Sequence, residues 1–383
     1  MICKDKGRHD ELSLCARNLC SGPAAIFIKY VLARETGEFM KITYIAPMES
    51  GPRSHLPIRQ RAEALSRLGH EIFFVDPWSW VTFGEYSRRW IHHAGGFGLN
   101  SLISKRLYNE VAQSAPDLIF INQGEFLNGS TISRLREIDV PIVVYINDDP
   151  FGGRDGNRFS NLIKALPYYD LVVVVREPNV EEALRFGARK VIRVWMSADE
   201  VAHAPHSISV SERSKFESDV SLIGIWMHER GLFVSNLIRR GVPLSIWGDH
   251  WEKDENWKVI KKFWKGPKLY EINDYRAAIL CSKVCLGVLS RQNRDLHTTR
   301  SIEIPLVGGL LCAERTSEHL QMYIERSEAF FWKDCVECAQ ICHEILENSS
   351  LRKEVARRGQ IRASHSPFLN EKILKHIIEK AFV

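Results

Sequence analysis

NRDLHTTRSIEIPLVGGLLCAERT, Asn293 to Thr316, is the stretch on which the reading of the fold turns. It opens with a polar loop, Asn293 to Thr299. An apolar run from Ile302 to Val307 follows and ends at Gly308-Gly309. A strand-like segment, Leu310 to Ala313, is closed by Glu314-Arg315-Thr316. Loop, short helix, glycine turn and strand is the order of a nucleotide site. A helix N-terminus offers backbone N–H groups and partial positive charge, which suit a diphosphate. Asp295 and Glu303 are acids with seven residues between them. A helix starting near Arg300 leaves Asp295 in the loop and puts Glu303 about one turn inside, with Arg300 between them. A carboxylate accepts two hydroxyl hydrogen bonds, so Glu303 suits a ribose diol and Asp295 suits sugar hydroxyls. Spacing alone fits a surface loop and an amphipathic helix with a capping acid equally well.

Working outward, the chain reads as alternating strand and helix from Met40 onward. MKITYIAP begins with a first strand, Lys41 to Ala46. A Gly/Pro loop runs from Pro47 to Pro57, Ile58 to Leu68 has helical periodicity, and Glu71 to Val75 is a second strand. Asp117 to Asn122, Pro141 to Ile146 and Leu171 to Val175 are β-branched runs that read as buried parallel strands. Val191 to Trp195 is a further strand. His203 to Ser218 is polar and serine-rich, the best linker candidate. A second alternating unit follows, with strands at Asp219 to Gly224, Leu244 to Gly248 and Lys283 to Leu289. Helices Cys335 to Leu346, Leu351 to Ala363 and Leu369 to Ala381 close the chain. Residues 1–39 have no clear period and read as an extension, with Met40 a plausible start.

The site stretch resembles the donor-site signature of GT-B glycosyltransferases, in particular the spore-maturation CgeB-type branch. RDLHTTR, Arg294 to Arg300, matches the run of that branch, and Glu303 in EIPLVGG sits where the second acid of an acid-x7-acid element is expected. Related retaining enzymes have Glu at the first acid position, where this chain has Asp295, as the CgeB-type branch tends to. The similarity runs from about Met40 to the C-terminus. It implies an α/β fold of GT-B architecture, two Rossmann-like domains with a cleft between them. The expected boundaries are 40–205 for the acceptor-side domain and 206–365 for the donor domain. A terminal helix, 366–383, would pack back on the first domain. It also implies a donor site of Glu303, His297, Thr298, Thr299, Gly308, Gly309 and Gly224, with Asp295, Arg230 and Arg300 at the reacting groups.

The chemistry this implies is sugar transfer from a nucleotide-sugar donor to an acceptor that is a glycan, a lipid-linked molecule or a protein, retaining and of hexosyltransferase type. The leaving diphosphate needs positive charge. No Asp-x-Asp clamp occurs in the sequence, so no metal and no further cofactor is expected. Arg230, just after DVSLIG, is the first choice for that charge and Arg300 the second. An exposed Arg230 in an i,i+4 pair fits the letters as well. Asp148 and Asp149 end a buried strand and are acceptor-side candidates, or an Asx turn before Pro150. A sugar-nucleotide epimerase of the same fold and a non-catalytic nucleotide-sugar-binding protein remain the alternatives.

Bulk properties limit the rest. At 383 residues with 45% hydrophobic and 26% charged content, the chain suits two globular domains. A net charge of +5 fits a phosphate ligand or an anionic surface and is too weak for a nucleic-acid partner. Nine cysteines without a secretory signal point to reduced thiols and a cytoplasmic setting. Cys335, Cys338 and Cys342 fall at helical spacing. His343 does not share their face, so they read as buried thiols and not a four-ligand metal site. Trp78 to Tyr108 mixes aromatics with bases. That suits an acceptor groove, peripheral contact with the inner membrane face, or helix packing with snorkelling Arg and Lys.

Overall fold

The computed structural model of the protein describes residues 40–47, 56–81, 84–94 and 98–383. The expected extension at 1–39, most of the Gly/Pro loop after Pro47, Phe83 and Gly95-Gly96-Phe97 lie outside the described residues. The β-branched runs become strands that are buried at every position. They are β3 (Leu118–Asn122), β4 (Ile142–Ile146) and β5 (Leu171–Val174). Such runs need cover on both faces, which helices supply in a parallel sheet. With β1 (Lys41–Ile45), β2 (Glu71–Val75) and β6 (Val191–Arg193) they form one six-stranded sheet, ordered β2-β1-β3-β4-β5-β6 and parallel throughout. Its core gathers Ile119, Phe126, Val144, Leu166 and Val172. Each such side chain, fully buried, contributes about 1.5–3 kcal/mol.

The second sheet holds β7 (Ser218–Ile223), β8 (Leu244–Trp247), β9 (Trp264–Gly266), β10 (Ser282–Gly287), β11 (Leu311–Glu314) and β12 (Phe330–Trp332). Its order is β12-β11-β10-β7-β8-β9, again all parallel. The chain lays β7, β8 and β9 in one direction, then returns to place β10 on the other side of β7. Alternate residues of its strands face opposite layers. Val284, Leu286, Leu310 and Cys312 join a core with Val234 and Ile341, whereas Cys285, Leu311 and Ala313 join one with Ile302 and Val307. Two doubly wound parallel sheets of this order are Rossmann-like.

The chain divides into two compact units. The described parts of 1–47, 65–193 and 374–383 form the first; 56–64 and 194–373 form the second. Within the first, Lys190 Nζ donates to the Lys380 carbonyl at 2.6 Å, so the last turn of the helix Asn370–Ala381 is tied to the loop before β6. The division falls at Arg193/Val194, twelve residues before the boundary expected at 205/206. The linker reading of His203 to Ser218 needs correction for the same reason. His203 is buried, and Val210–Phe216 is a helix opened by a Ser209/Glu212 capping box and anchored by buried Phe216. Ser209 is the cap, and the serines around it look like loop composition in a sequence. Strands β9 and β12, three residues each, went unread because three letters carry no period.

Candidate active site

In a doubly wound sheet, ligands gather beyond the strand ends where the order reverses. In the second unit that point lies between β7 and β10, which pair directly. The chain leaving β10 runs through Val288–Thr299 and enters the helix Arg300–Val307. The stretch quoted first therefore sits at the switch point, and its helix begins where spacing put it. Gly308 ends that helix in the left-handed region (φ 107°), and Gly309 has no room for a side chain, since a Cβ would lie 2.5 Å from Ile279 Cγ2. These two glycines turn and pack the chain. Gly224 follows β7, and its carbonyl faces Gly248 so closely that a Cβ on Gly248 would stand 1.9 Å from it.

Glu303 is the centre of a buried polar cluster. It is 4% exposed. Its Oε2 accepts from Tyr275 Oη at 2.7 Å and from Arg300, and His203 Nε2 stands 3.5 Å from Oε1. Arg300 also donates to the Ile223 carbonyl at the end of β7 and lies over the Tyr275 ring, 4.9 Å from its centroid. Burial alone would raise the Glu303 pKa; the Arg300 charge, then His203 and the bonds from Tyr275 and Arg300, overcome it and hold the carboxyl below its ordinary value. Burial pushes the Tyr275 hydroxyl well above its usual range. Lys268, on the loop after β9, is held below the ordinary lysine value, first by burial and then by Arg300, against Asp249 and Glu303. Asp249 in turn accepts from Tyr270 Oη at 2.6 Å. The cluster is thus a carboxylate paired with Arg300, which is always charged, and Lys268 is near enough to feel both charges.

The loop residues divide into those tied to the scaffold and those with polar atoms to offer. His297 is buried; its Nε2 accepts from Met196 N at 2.9 Å, so its Nδ1 carries the proton and donates to Glu318 at 2.5 Å. That makes it a clamp on the loop. Thr298 N donates to Ser301 Oγ, whose hydroxyl donates to His319 Nε2 at 2.7 Å; His319 Nδ1 donates to the Glu314 carbonyl at 2.6 Å. The Ser301, Ile302 and Glu303 amides bond back to the Thr298 and Thr299 carbonyls. The Thr298 amide is therefore held by Ser301 and is not open to a ligand. The Thr299 hydroxyl accepts from Arg300. By contrast, Thr298 Oγ1 and Asn293 Oδ1 are buried polar oxygens with no partner among the described residues. Buried polar atoms are nearly always paired, so two orphans on one loop mark a place for a ligand or water. Asp295 is buried in the same loop, its amide bonded to the Ser290 carbonyl at 3.2 Å.

Arg230 is the third residue of the helix His228–Arg239 and only 8% exposed, which overturns the reading as an exposed i,i+4 partner. Its guanidinium donates to the carbonyls of Ile225 (2.9 Å), Val288 (3.4 Å) and Leu289 (3.3 Å). It straps the loop after β7 to the loop after β10. A cavity of about 390 Å³ lies beside it, lined by Glu229, Phe233, Arg291, Trp332 and Lys333 among others. In the first unit, Asp149 accepts from the amides of Phe151 and Gly152 and from Asn179 Nδ2, which is the Asx turn. Asp148 pairs with Arg158 at 3.2 Å, and Arg158 also meets Glu125 and Asp155.

Sequence reasoning missed Tyr275, His203 and Lys268. Each stands outside the motif in the chain, and only the fold brings Tyr275 and His203 to Glu303. Among the described residues no helix is long and apolar enough to cross a membrane.

Residues 230–377 match the model of a family described as glycosyl transferase-like. No curated protein matches the chain. Solved structures do. Anabaena Alr3699/HepE in complex with UDP-glucose has a TM-score of 0.61 at 13% identity, over 89% of this chain and 98% of that one. Sucrose-phosphate synthase from Thermosynechococcus elongatus has 0.59 at 11%, over 89% and 99%. The α,α-trehalose 6-phosphate synthase of Burkholderia multivorans has 0.60 at 12%, over 90% and 98%. With its two Rossmann-like sheets, the chain has the GT-B glycosyltransferase fold.

Proposed function

We propose that the chain is a glycosyltransferase that moves a hexose from a nucleoside-diphosphate sugar to an acceptor glycan, lipid-linked molecule or protein. The observation that carries this reading is Glu303, buried and paired with Arg300 at the switch point of the second sheet, in the electrostatic range of Lys268. Glu303 takes the ribose hydroxyls through Oε1. Arg300 and Lys268 receive the negative charge that appears on the diphosphate as the sugar C1–O bond breaks. Asp295, Asn293 and Thr298 face the sugar. Transfer proceeds with retention. The leaving phosphate oxygen takes the acceptor proton, so no strong enzymic base is needed and Asp148 only orients the acceptor. With two cations in place, no metal is required. The RDLHTTR run supports the CgeB-type branch.

Arg230 acts as a positioning residue in this scheme, because its guanidinium holds both loops of the site. Exposed Tyr86, Trp90 and Leu102, with exposed Arg89, Lys105 and Arg106, support peripheral contact with an anionic membrane on the cytoplasmic side. Uridine diphosphate is the first probe, since it occurs with structures of the same fold. Calorimetry should find UDP binding that weakens by about 1.5–3 kcal/mol in Glu303→Gln, from lost charged hydrogen bonds to the ribose. Equal affinity in a folded variant rules the ribose role out.

A further inference from the structure

Three cysteines meet inside the second unit. Cys312 lies in the middle of β11, and Cys338 and Cys342 lie one turn apart on the helix Cys335–Glu347. Their sulfurs are all within 4.8 Å of one another, and all three residues are fully buried. Cys335, which helical spacing grouped with them, bonds instead toward the Phe233 carbonyl at 3.7 Å. The third sulfur comes from the sheet, where no sequence spacing could reveal it.

The chemistry of this group is narrow. It has no oxygen donor, so it does not suit magnesium or calcium. A structural zinc ion takes four ligands, and the described residues put three together here. Sulfurs this close leave no room for a polynuclear iron–sulfur core. What remains is a soft ion content with low coordination, and thiolates select copper(I). Three sulfurs at about 2.3 Å from one ion, the length of a zinc–sulfur bond, stand about 4 Å apart in a trigonal plane. The observed spacing needs only a small inward movement to reach it.

We propose that Cys312, Cys338 and Cys342 form a binding site for one copper(I) ion. Two sulfurs enter as thiolates and release their two protons to solvent; the third stays a neutral thiol, giving a net charge of −1. Leu310, Phe330, Ile341 and Ile345 belong to the core around the group and keep water out. The ion ties β11 to the helix behind it and so stabilises the second unit. Because the sulfurs are fully buried, it enters when that helix opens or as the chain folds.

The test uses the full chain, reduced and anaerobic, with Cys3, Cys15 and Cys20 changed to Ser so that those three thiols do not compete for the ion. Copper(I) is supplied from a chromophoric chelator. The expected result is one ion retained per chain, the red emission of a water-shielded copper–thiolate centre, and a higher melting temperature. Cys312→Ala and Cys342→Ala, on separate elements, should each weaken retention at least about tenfold, while Cys335→Ala leaves it unchanged. X-ray absorption of the loaded chain needs no variant at the site and should show sulfur alone around copper. Failure to retain copper, equal retention by the variants, a nitrogen or oxygen shell, or preferential retention of zinc offered in competition overturns the proposal.

Discussion

Glu303 and Arg300 are coupled, because the buried carboxylate accepts from the half-buried guanidinium. Arg300→Ala strips the carboxylate of its main partner and removes a cation from the diphosphate site. Turnover should fall about a hundredfold, as when one electrostatic contact to a transition state is lost. Arg300→Lys should recover part of this, since an ammonium cannot present a planar fork. Arg230 should behave differently. Arg230→Ala leaves three carbonyls without their donor and should cost about 2–4 kcal/mol of stability, with weaker donor binding. Stability and KM measured together separate the two arginines: a variant of Arg230 that keeps full stability but loses turnover would contradict the strap. His319 sets a pH limit. Burial first, then His297, lower its pKa to about 4 against the Glu314 carbonyl, from an ordinary value near 6.5. Above pH 6.5 the ring is neutral in both states, and its contribution is complete. As pH falls toward 4 the unfolded chain takes up a proton that the native ring refuses. About 3 kcal/mol is lost across that window. Denaturant melts from pH 7 to 4.5 should show this slope, and His319→Gln should flatten it.

Elements that carry their own signal were legible in the sequence. The helix Arg300–Val307 and its glycine stop follow from an apolar run, a positive-φ turn and a strand, all local. Strands β3, β4 and β5 follow from uninterrupted β-branched residues. What stayed hidden depends on distant parts of the chain. Strand β9 pairs with β8 through few residues, and Tyr275 reaches Glu303 only because β10 returns beside β7. The capping box at Ser209 was visible as letters, but a serine-rich segment reads as linker unless Phe216 is known to be buried. Ser209→Ala should therefore lower stability by about 1 kcal/mol, which a flexible linker would not do. Gly309→Ala forces a methyl against Ile279 and should cost about 1–3 kcal/mol, measured by urea denaturation.

At the scale of the whole molecule, two units with separate cores need not melt together. The residues proposed to hold the donor all lie in the second unit. Calorimetric scans with and without UDP should show a shift in one transition, and a uniform shift of the entire profile would indicate coupled units. Residues 374–383 belong to the first unit, although the whole of 194–373 stands between them and β6. A ribosome makes the chain from its N-terminus, so the second unit can be finished before the first has received its last helical turns. The first unit must wait for its closing piece, including the carbonyl of Lys380 that meets Lys190. A nascent chain stalled after Ile373 would carry one mature unit and one incomplete unit, the later-made part folding first.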